Sequence, residues 1–210
     1  MKENNIKELY REYKNTDYKQ CEKLVAKAWS FDIVFNPKSL SSFAKLLYTK
    51  GSITSSNYRR VVEMDGEIVG FIFGLNENVK KPKKDIFFIL QILWKLLFVR
   101  YIKPDKKSLF EAISTHEKNK NQIVRNEQSE IILFVIDEKY QNKGYGRNLW
   151  IGFRNFCIES NVASIVVETN KLGASAFYEK IGFTHLENFV SPLHEFITKG
   201  GQACIYEFKY

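Results

Sequence analysis

The sequence predicts an α/β (α+β) fold, and three features carry that prediction. Ile131 to Gly146, IILFVIDEKYQNKGYG, is an apolar β run ending in a glycine-rich turn, and from Arg147 onward (RNLWIGFRNFCIE) apolar residues recur at helical spacing. Ala163 to Thr169, ASIVVET, is a second β-branched run; a short helical segment from Leu172 to Lys180 follows, and a third extended segment starts at Ile181-Gly182-Phe183. Upstream, Arg59 to Glu63 and Glu67 to Phe73 flank Met64-Asp65-Gly66, and an Asp-Gly turn between β-rich runs signals a hairpin.

The remaining elements follow in chain order. Leu9 to Lys14 reads as a first strand. Asp17 is placed to cap a helix through Ala28, with Cys21, Leu24, Val25 and Ala28 on one face. Pro37 suits the first turn of a second helix, Lys38 to Tyr48, and Gly51 to Asn57 reads as a polar loop. Gln202 to Lys209 is the last strand. The order is β-α-α-β-β, an insertion at about 76–128, then β-α-β-α-β-β, which makes about seven strands with flanking helices. A chain of 210 residues suffices for a single domain, 1–210, that carries this insertion.

Composition narrows the class. With 44% apolar and 27% charged residues the chain is an ordinary globular one. Cys21, Cys157 and Cys204 are far apart and form no C-x-x-C pair, so neither a metal site nor a disulfide framework is expected, and a reducing compartment is the default. The start, MKENNIKELYREY, lacks the apolar core of a secretory signal, which gives a cytoplasmic expectation. The formal net charge is +8, but nine basic and two acidic residues between Val79 and Lys107 supply most of it. The rest is nearly neutral, so nucleic acid is not an expected partner.

The hexapeptide Gln141-Asn142-Lys143-Gly144-Tyr145-Gly146 fits the pattern [QR]-x-x-G-x-[GA]. Glycines let the backbone approach an anion closely, and the first-turn N–H groups of the following helix favour negative charge. The bland alternative is a tight β-to-α connection. Taken with Asn170 and with Phe177-Tyr178-Glu179-Lys180-Ile181-Gly182-Phe183 at the expected distance, the motif resembles the GNAT superfamily of acyl-CoA N-acyltransferases, specifically over about residues 129–190.

The resemblance implies a mixed, mainly antiparallel sheet with the helical insertion between strands three and four. It also implies acetyl-CoA as cosubstrate, with no metal, and a primary amine of unknown identity as acceptor. The pyrophosphate would lie on Gln141, Asn142, Lys143, Gly144, Tyr145, Gly146 and Arg147, and the pantetheine arm along Phe134, Val135 and Ile136, with Asn170, Ser175 and Phe177 completing the cofactor set. One backbone N–H of that fourth strand would polarise the thioester carbonyl. Tyr178 is the implied proton donor to the departing thiolate; its structural alternative is a core tyrosine. Glu130 at the start of the fourth strand is the implied base, with Glu63 and Glu168 as alternatives, and it also reads as a solvated strand-end glutamate. His116, His185 and His194 read as surface or loop histidines, the last two near the acceptor side. Acceptor walls are implied at 29–36, with Trp29, Asp32 and Phe35, and at 190–201, with His194 and Glu195. A non-catalytic acyl-CoA-binding module and a membrane-associated acyltransferase are the rival functions.

The insertion departs from a minimal family member. Ile86 to Val99 is apolar around most of a helix, with Lys84, Gln91 and Lys95 as a narrow polar stripe. From Ile86 to Ile102 it would span about 25 Å, short of a hydrocarbon core of roughly 30 Å. Two readings stand: a lid or homodimer helix, and a peripheral membrane helix whose basic flanks at 80–107 meet anionic headgroups.

Overall fold

The computed structural model describes residues 8–35, 38–83, 85–98, 105–125, 128–171, 173–194 and 202–210. The elements are β1 (Glu8–Glu12), α1 (Tyr18–Ala28), α2 (Phe31–Val34), α3 (Lys38–Ser55), β2 (Tyr58–Met64), β3 (Glu67–Leu75), α4 (Ile86–Phe98), α5 (Asp105–Lys120), β4 (Ser129–Ile136), α6 (Tyr145–Glu159), β5 (Ser164–Asn170), α7 (Ser175–Lys180), β6 (Thr184–Phe189) and β7 (Ala203–Lys209). The strands form one seven-stranded sheet in the order β1-β2-β3-β4-β5-β7-β6. Neighbours are antiparallel except β4 and β5, which run parallel.

Helices cover both faces of the central strands, which is why β3 reads as an almost unbroken apolar run and is buried from Ile68 to Gly74. On one face α6 packs Leu149, Trp150, Phe153 and Cys157 against Val62, Ile72, Ile131, Ile165 and Val167, and α7 adds Tyr178. On the other, Cys21, Leu24 and Val25 of α1, Phe31 of α2 and Ile53 of α3 pack against Val61, Phe71, Phe73, Leu133 and Val135.

A single extra residue shapes the middle of the sheet. Phe73 pairs with Leu133 and the next residue, Gly74, pairs with Ile131, so Ile132 has no partner on β3. Regular alternation would put Ile131, Leu133 and Val135 on one face. The bulge instead sends Ile131 to the α6 core and Leu133 and Val135 to the α1 core, while Phe134 and Ile136 pack toward α6. The same point ends the parallel ladder. β4 and β5 pair at Ser129 with Ile165, Glu130 with Val166 and Ile131 with Val167, and then separate. Beyond it β4 continues against β3 and β5 against β7, which leaves a gap between the two strands.

Several expectations need correction. Gly51 to Ser55 is not a loop: α3 runs through it, because Ile53 is buried and Gly51 lets the Phe88 ring lie close, 3.7 Å from where a Cβ would be. Asp17 precedes α1 but makes no side-chain cap. Its carboxylate accepts from the Lys14 N–H at 2.7 Å and pairs with the Arg11 guanidinium. Ala28 is exposed, unlike the other three residues of the α1 stripe. The helix before β6 begins at Ser175, later than expected. Asn36, Pro37, Lys84, Ile102, Leu172 and Glu195 lie outside the described residues.

Gly74 sits at the bulge, and a Cβ there would lie 2.5 Å from the Phe153 ring, which is fully buried. Gly74→Ala is therefore expected to cost about 1–3 kcal/mol through overpacking. Urea denaturation checks this, and an unchanged midpoint would show that the ring has room to move.

Candidate active site

The turn after β4 is built to leave amides exposed. Asp137 accepts from the Lys139 N–H at 3.0 Å and from the Lys27 ammonium, fixing the chain as it leaves the strand. Gln141 then folds back, donating from Nε2 to the Ile136 carbonyl at 3.1 Å. Asn142 and Gly144 are left-handed, with φ of 61° and 92°, and a Cβ at Gly144 would meet nothing within 4 Å, so the space before the helix is open. The first helical hydrogen bond of α6 at this end runs from the Asn148 N–H to the Gly144 carbonyl at 3.0 Å. The N–H groups of Tyr145, Gly146 and Arg147 therefore lie in the first turn, where the helix supplies no acceptor. Lys143 and Arg147 are exposed beside them. Gly146 brings the helix start against α7 and the end of β4, with the Phe177 ring and Ile136 3.4–3.5 Å from its Cβ position.

The gap between β4 and β5 is lined by aromatic rings. Phe134 of β4 meets Phe177 of α7 edge-on at 5.5 Å; Phe177 meets Tyr178 at 5.4 Å, and Tyr178 meets Phe183 at 5.4 Å. Tyr178 is buried, and burial pushes its phenol up, so the hydroxyl keeps its proton throughout the neutral range. Its phenol interacts electrostatically with that of Tyr48 on α3. Tyr178 belongs to the α6 core and Tyr48 packs on the α1 core, so the two approach each other across the sheet, as the separated strands allow. Tyr48 in turn packs on Trp29 at 5.0 Å and on Phe31 at 5.6 Å, and Phe31 on Phe35 at 5.4 Å.

Asp32, by contrast, is exposed and faces α3, where Ser41 Oγ and Lys45 Nζ donate to it at 2.7 and 2.8 Å. Asn170 ends β5, and its carbonyl accepts from the Gly173 N–H at 2.9 Å. Ser175 Oγ donates to the Lys171 carbonyl at 2.8 Å, closing the turn into α7.

A charge cluster joins the insertion to this site. Glu168 on β5 meets His194 Nε2 at 2.8 Å, His116 Nε2 at 3.4 Å and Lys120 Nζ at 3.5 Å, and Lys120 also pairs with Glu130 on β4. His116 Nδ1 shares a hydrogen bond of 2.9 Å with Ser191 Oγ, which accepts from the His194 N–H at 3.0 Å. Burial by itself would raise the Glu168 pKa. The hydrogen bonds from both histidines and the Lys120 charge overcome it and hold the carboxyl well below its ordinary 4.5. Lys120 behaves in the opposite sense: desolvation is overcome by the two glutamates, and its ammonium is held above 10.5. Among the described residues no three His, Cys, Asp or Glu side chains converge on a metal position.

Glu130 and Glu168 are thus brought together, whereas Glu63 lies across the sheet, held by Arg11 Nε at 2.7 Å. His185 is on β6 with Asn188. His116 is neither a surface nor a loop residue: it is buried on α5. Its role was readable only as the spacing Ala112, His116, Lys120, one face of a helix, because nothing in the segment itself says what that face meets.

Residues 106–191 match the family model described as an acetyltransferase (GNAT) domain. That span includes the turn, the gap, α7 and the cluster residues His116, Lys120, Glu130, Glu168 and Ser191. The whole chain also superposes on solved structures. PH1933 from Pyrococcus horikoshii is 15% identical at a TM-score of 0.61, covering 97% of this chain and 99% of that one. The PaiA N-acetyltransferase from Thermoplasma acidophilum, solved in complex with coenzyme A, is 12% identical at 0.58, over 97% and 99%. The ribosomal-protein-S18-alanine N-acetyltransferase from Escherichia coli is 15% identical at 0.54, over 97% and 94%. No curated protein matches the sequence. The architecture is therefore that of the GNAT acetyltransferases.

Because the Glu168 pKa is lowered on folding, its ion pairs stabilise the protein above pH 4.5, and that contribution is lost as pH falls below 4.5. Glu168→Gln should cost about 3 kcal/mol at neutral pH by removing one of the two carboxylates that pair with the buried Lys120 ammonium. Urea titrations across pH should show the gap between parent and variant narrowing below pH 4.5. A pH-independent difference would mean the carboxylate charge is not what holds the cluster.

Proposed function

We propose that the protein is an acetyl-CoA-dependent N-acetyltransferase in which a primary amine attacks the thioester carbonyl directly within a ternary complex. The observation that carries this reading is the gap opened where the β4–β5 ladder ends before Ile132, with the amide-rich turn following β4 and Tyr178 buried in the aromatic cluster that Phe134 joins through Phe177. The names of the Escherichia coli and Thermoplasma acidophilum neighbours, both N-acetyltransferases and the second bound to coenzyme A, support the reaction class.

The cosubstrate's pyrophosphate meets the amides from Asn142 to Arg147, with Lys143 and Arg147 adding charge. Its pantetheine arm lies along the β4 edge from Phe134 to Ile136 that β5 has vacated, against Phe177, with Asn170 and Ser175 framing the start of α7. A backbone N–H on that edge faces the negative charge that develops on the carbonyl oxygen. As the new C–N bond forms, the C–S bond breaks and the departing sulfur takes the proton of Tyr178, whose buried phenol is protonated at neutral pH. The amine's proton goes to Glu130, directly or through water, on the face that Lys120 shares. Glu168, held far below neutral pH, is a poor proton acceptor and serves to position His194 and the insertion. Trp29 and Phe35, from the α1 to α3 segment, and His194 form the acceptor walls, suited to an amine with an apolar portion.

Tyr178→Phe keeps the ring in its aromatic cluster and removes only the donor. Turnover should fall by about 10² to 10⁴ while coenzyme A binding by calorimetry stays within a few-fold. Parent-level turnover under conditions where chemistry limits the rate would take the proton-donor role away from this residue.

A further inference from the structure

We infer that α4 is a membrane-docking element that sets its apolar face on an anionic lipid surface. The helix is mounted the wrong way round for a soluble domain. Its polar residues turn toward the protein: Gln91 and Lys95 line a hollow of about 490 Å³ with Tyr13, Tyr18, Lys45 and Lys50. Asp85 accepts from the Phe88 N–H at 2.9 Å and pairs with Lys50 at 3.5 Å, and Phe88 lies over Gly51, so α4 is fastened to α3 by that side.

The opposite side is apolar and faces outward. Ile86, Phe87, Ile89, Leu90, Leu93 and Trp94 are 67%, 85%, 45%, 55%, 52% and 63% exposed. At 3.6 residues per turn these six fall within about 160° of arc, one continuous stripe. An apolar stripe of this kind on a surface marks an interaction site, and the expected arrangement is its reverse.

Charge selects the partner. Lys80 and Lys83 are exposed just before the helix, α4 contains no acid, and the sequence from Val79 to Lys107 carries nine basic residues against two acidic ones. Two copies meeting on this face would bring these like charges together, which is costly. An anionic bilayer complements them at about 1 kcal/mol per Lys or Arg near the surface. Exposed Phe87 and Trp94 beside lysines are the composition of a helix lying in the headgroup plane. Among the described residues no helix is long and apolar enough to cross a membrane, so the contact is one of surface docking.

The test is co-sedimentation of the full chain with phosphatidylcholine vesicles, with and without about one-third phosphatidylserine. The parent should pellet with the anionic vesicles at low salt, with a blue shift of tryptophan emission, and detach as salt rises. Phe87→Ser combined with Leu90→Ser should weaken binding at least about tenfold while circular dichroism and urea midpoint stay unchanged, since both side chains are exposed. Equal binding to neutral and anionic vesicles, binding unaffected by the substitutions, or no binding at all would overturn the inference. So would light scattering that shows a dimer, dissociated by the same substitutions, which vesicles do not compete apart: the face would then belong to a second copy.

Discussion

The single unpaired residue Ile132 is the constraint on which the rest of the site depends. A β-sheet has no room for a ligand between hydrogen-bonded neighbours, so strands about 4.8 Å apart must separate before anything can enter. The bulge achieves this locally. It rotates β4 enough to move Leu133 and Val135 to the α1 core and to turn Phe134 and Ile136 toward Phe177, and it does so where the ladder with β5 stops. The backbone groups freed on β4 and the first-turn amides of α6 then lie along one side of the same opening.

What keeps the opening in shape is electrostatic on one face and aromatic on the other. Burying Glu168 and Lys120 carries a desolvation cost of several kcal/mol for each ion, offset only because each has more than one partner. The partners come from α5, β4, β5 and the segment before β7, so the cluster ties the insertion to both strands that border the gap. Across the sheet, Trp150, Phe183, Tyr178 and Phe177 fix α7 against α6 by packing alone. Tyr178 thus sits in an apolar setting, and the charges lie on the opposite face of the sheet.

The parts legible in the sequence were those whose signal is local. Gly144 and Gly146 announce the turn, Asp65-Gly66 the hairpin, and ASIVVET the strand that follows α6. The bulge left no such mark, because IILFVI contains no glycine or proline and an extra residue in an apolar run changes no composition. α3 passes through Gly51 and Ser52 for a tertiary reason, the burial of Ile53, that overrides their weak helix propensity. Asp17 was read from its neighbours in sequence, but its carboxylate is taken by Arg11 and the Lys14 N–H. His116 and Lys120 became visible only when α5 was laid against β5. Local chemistry marks the glycine turn, whereas the charge cluster is made of contacts between distant segments.

The most direct measurement of the central claim is amide hydrogen exchange by mass spectrometry, with and without coenzyme A. If the gap and the turn form the cosubstrate site, coenzyme A should slow exchange at Phe134–Ile136 and at Lys143–Arg147 while leaving β1 and β6 unchanged. Protection confined to other segments, or none at saturating coenzyme A, would contradict it.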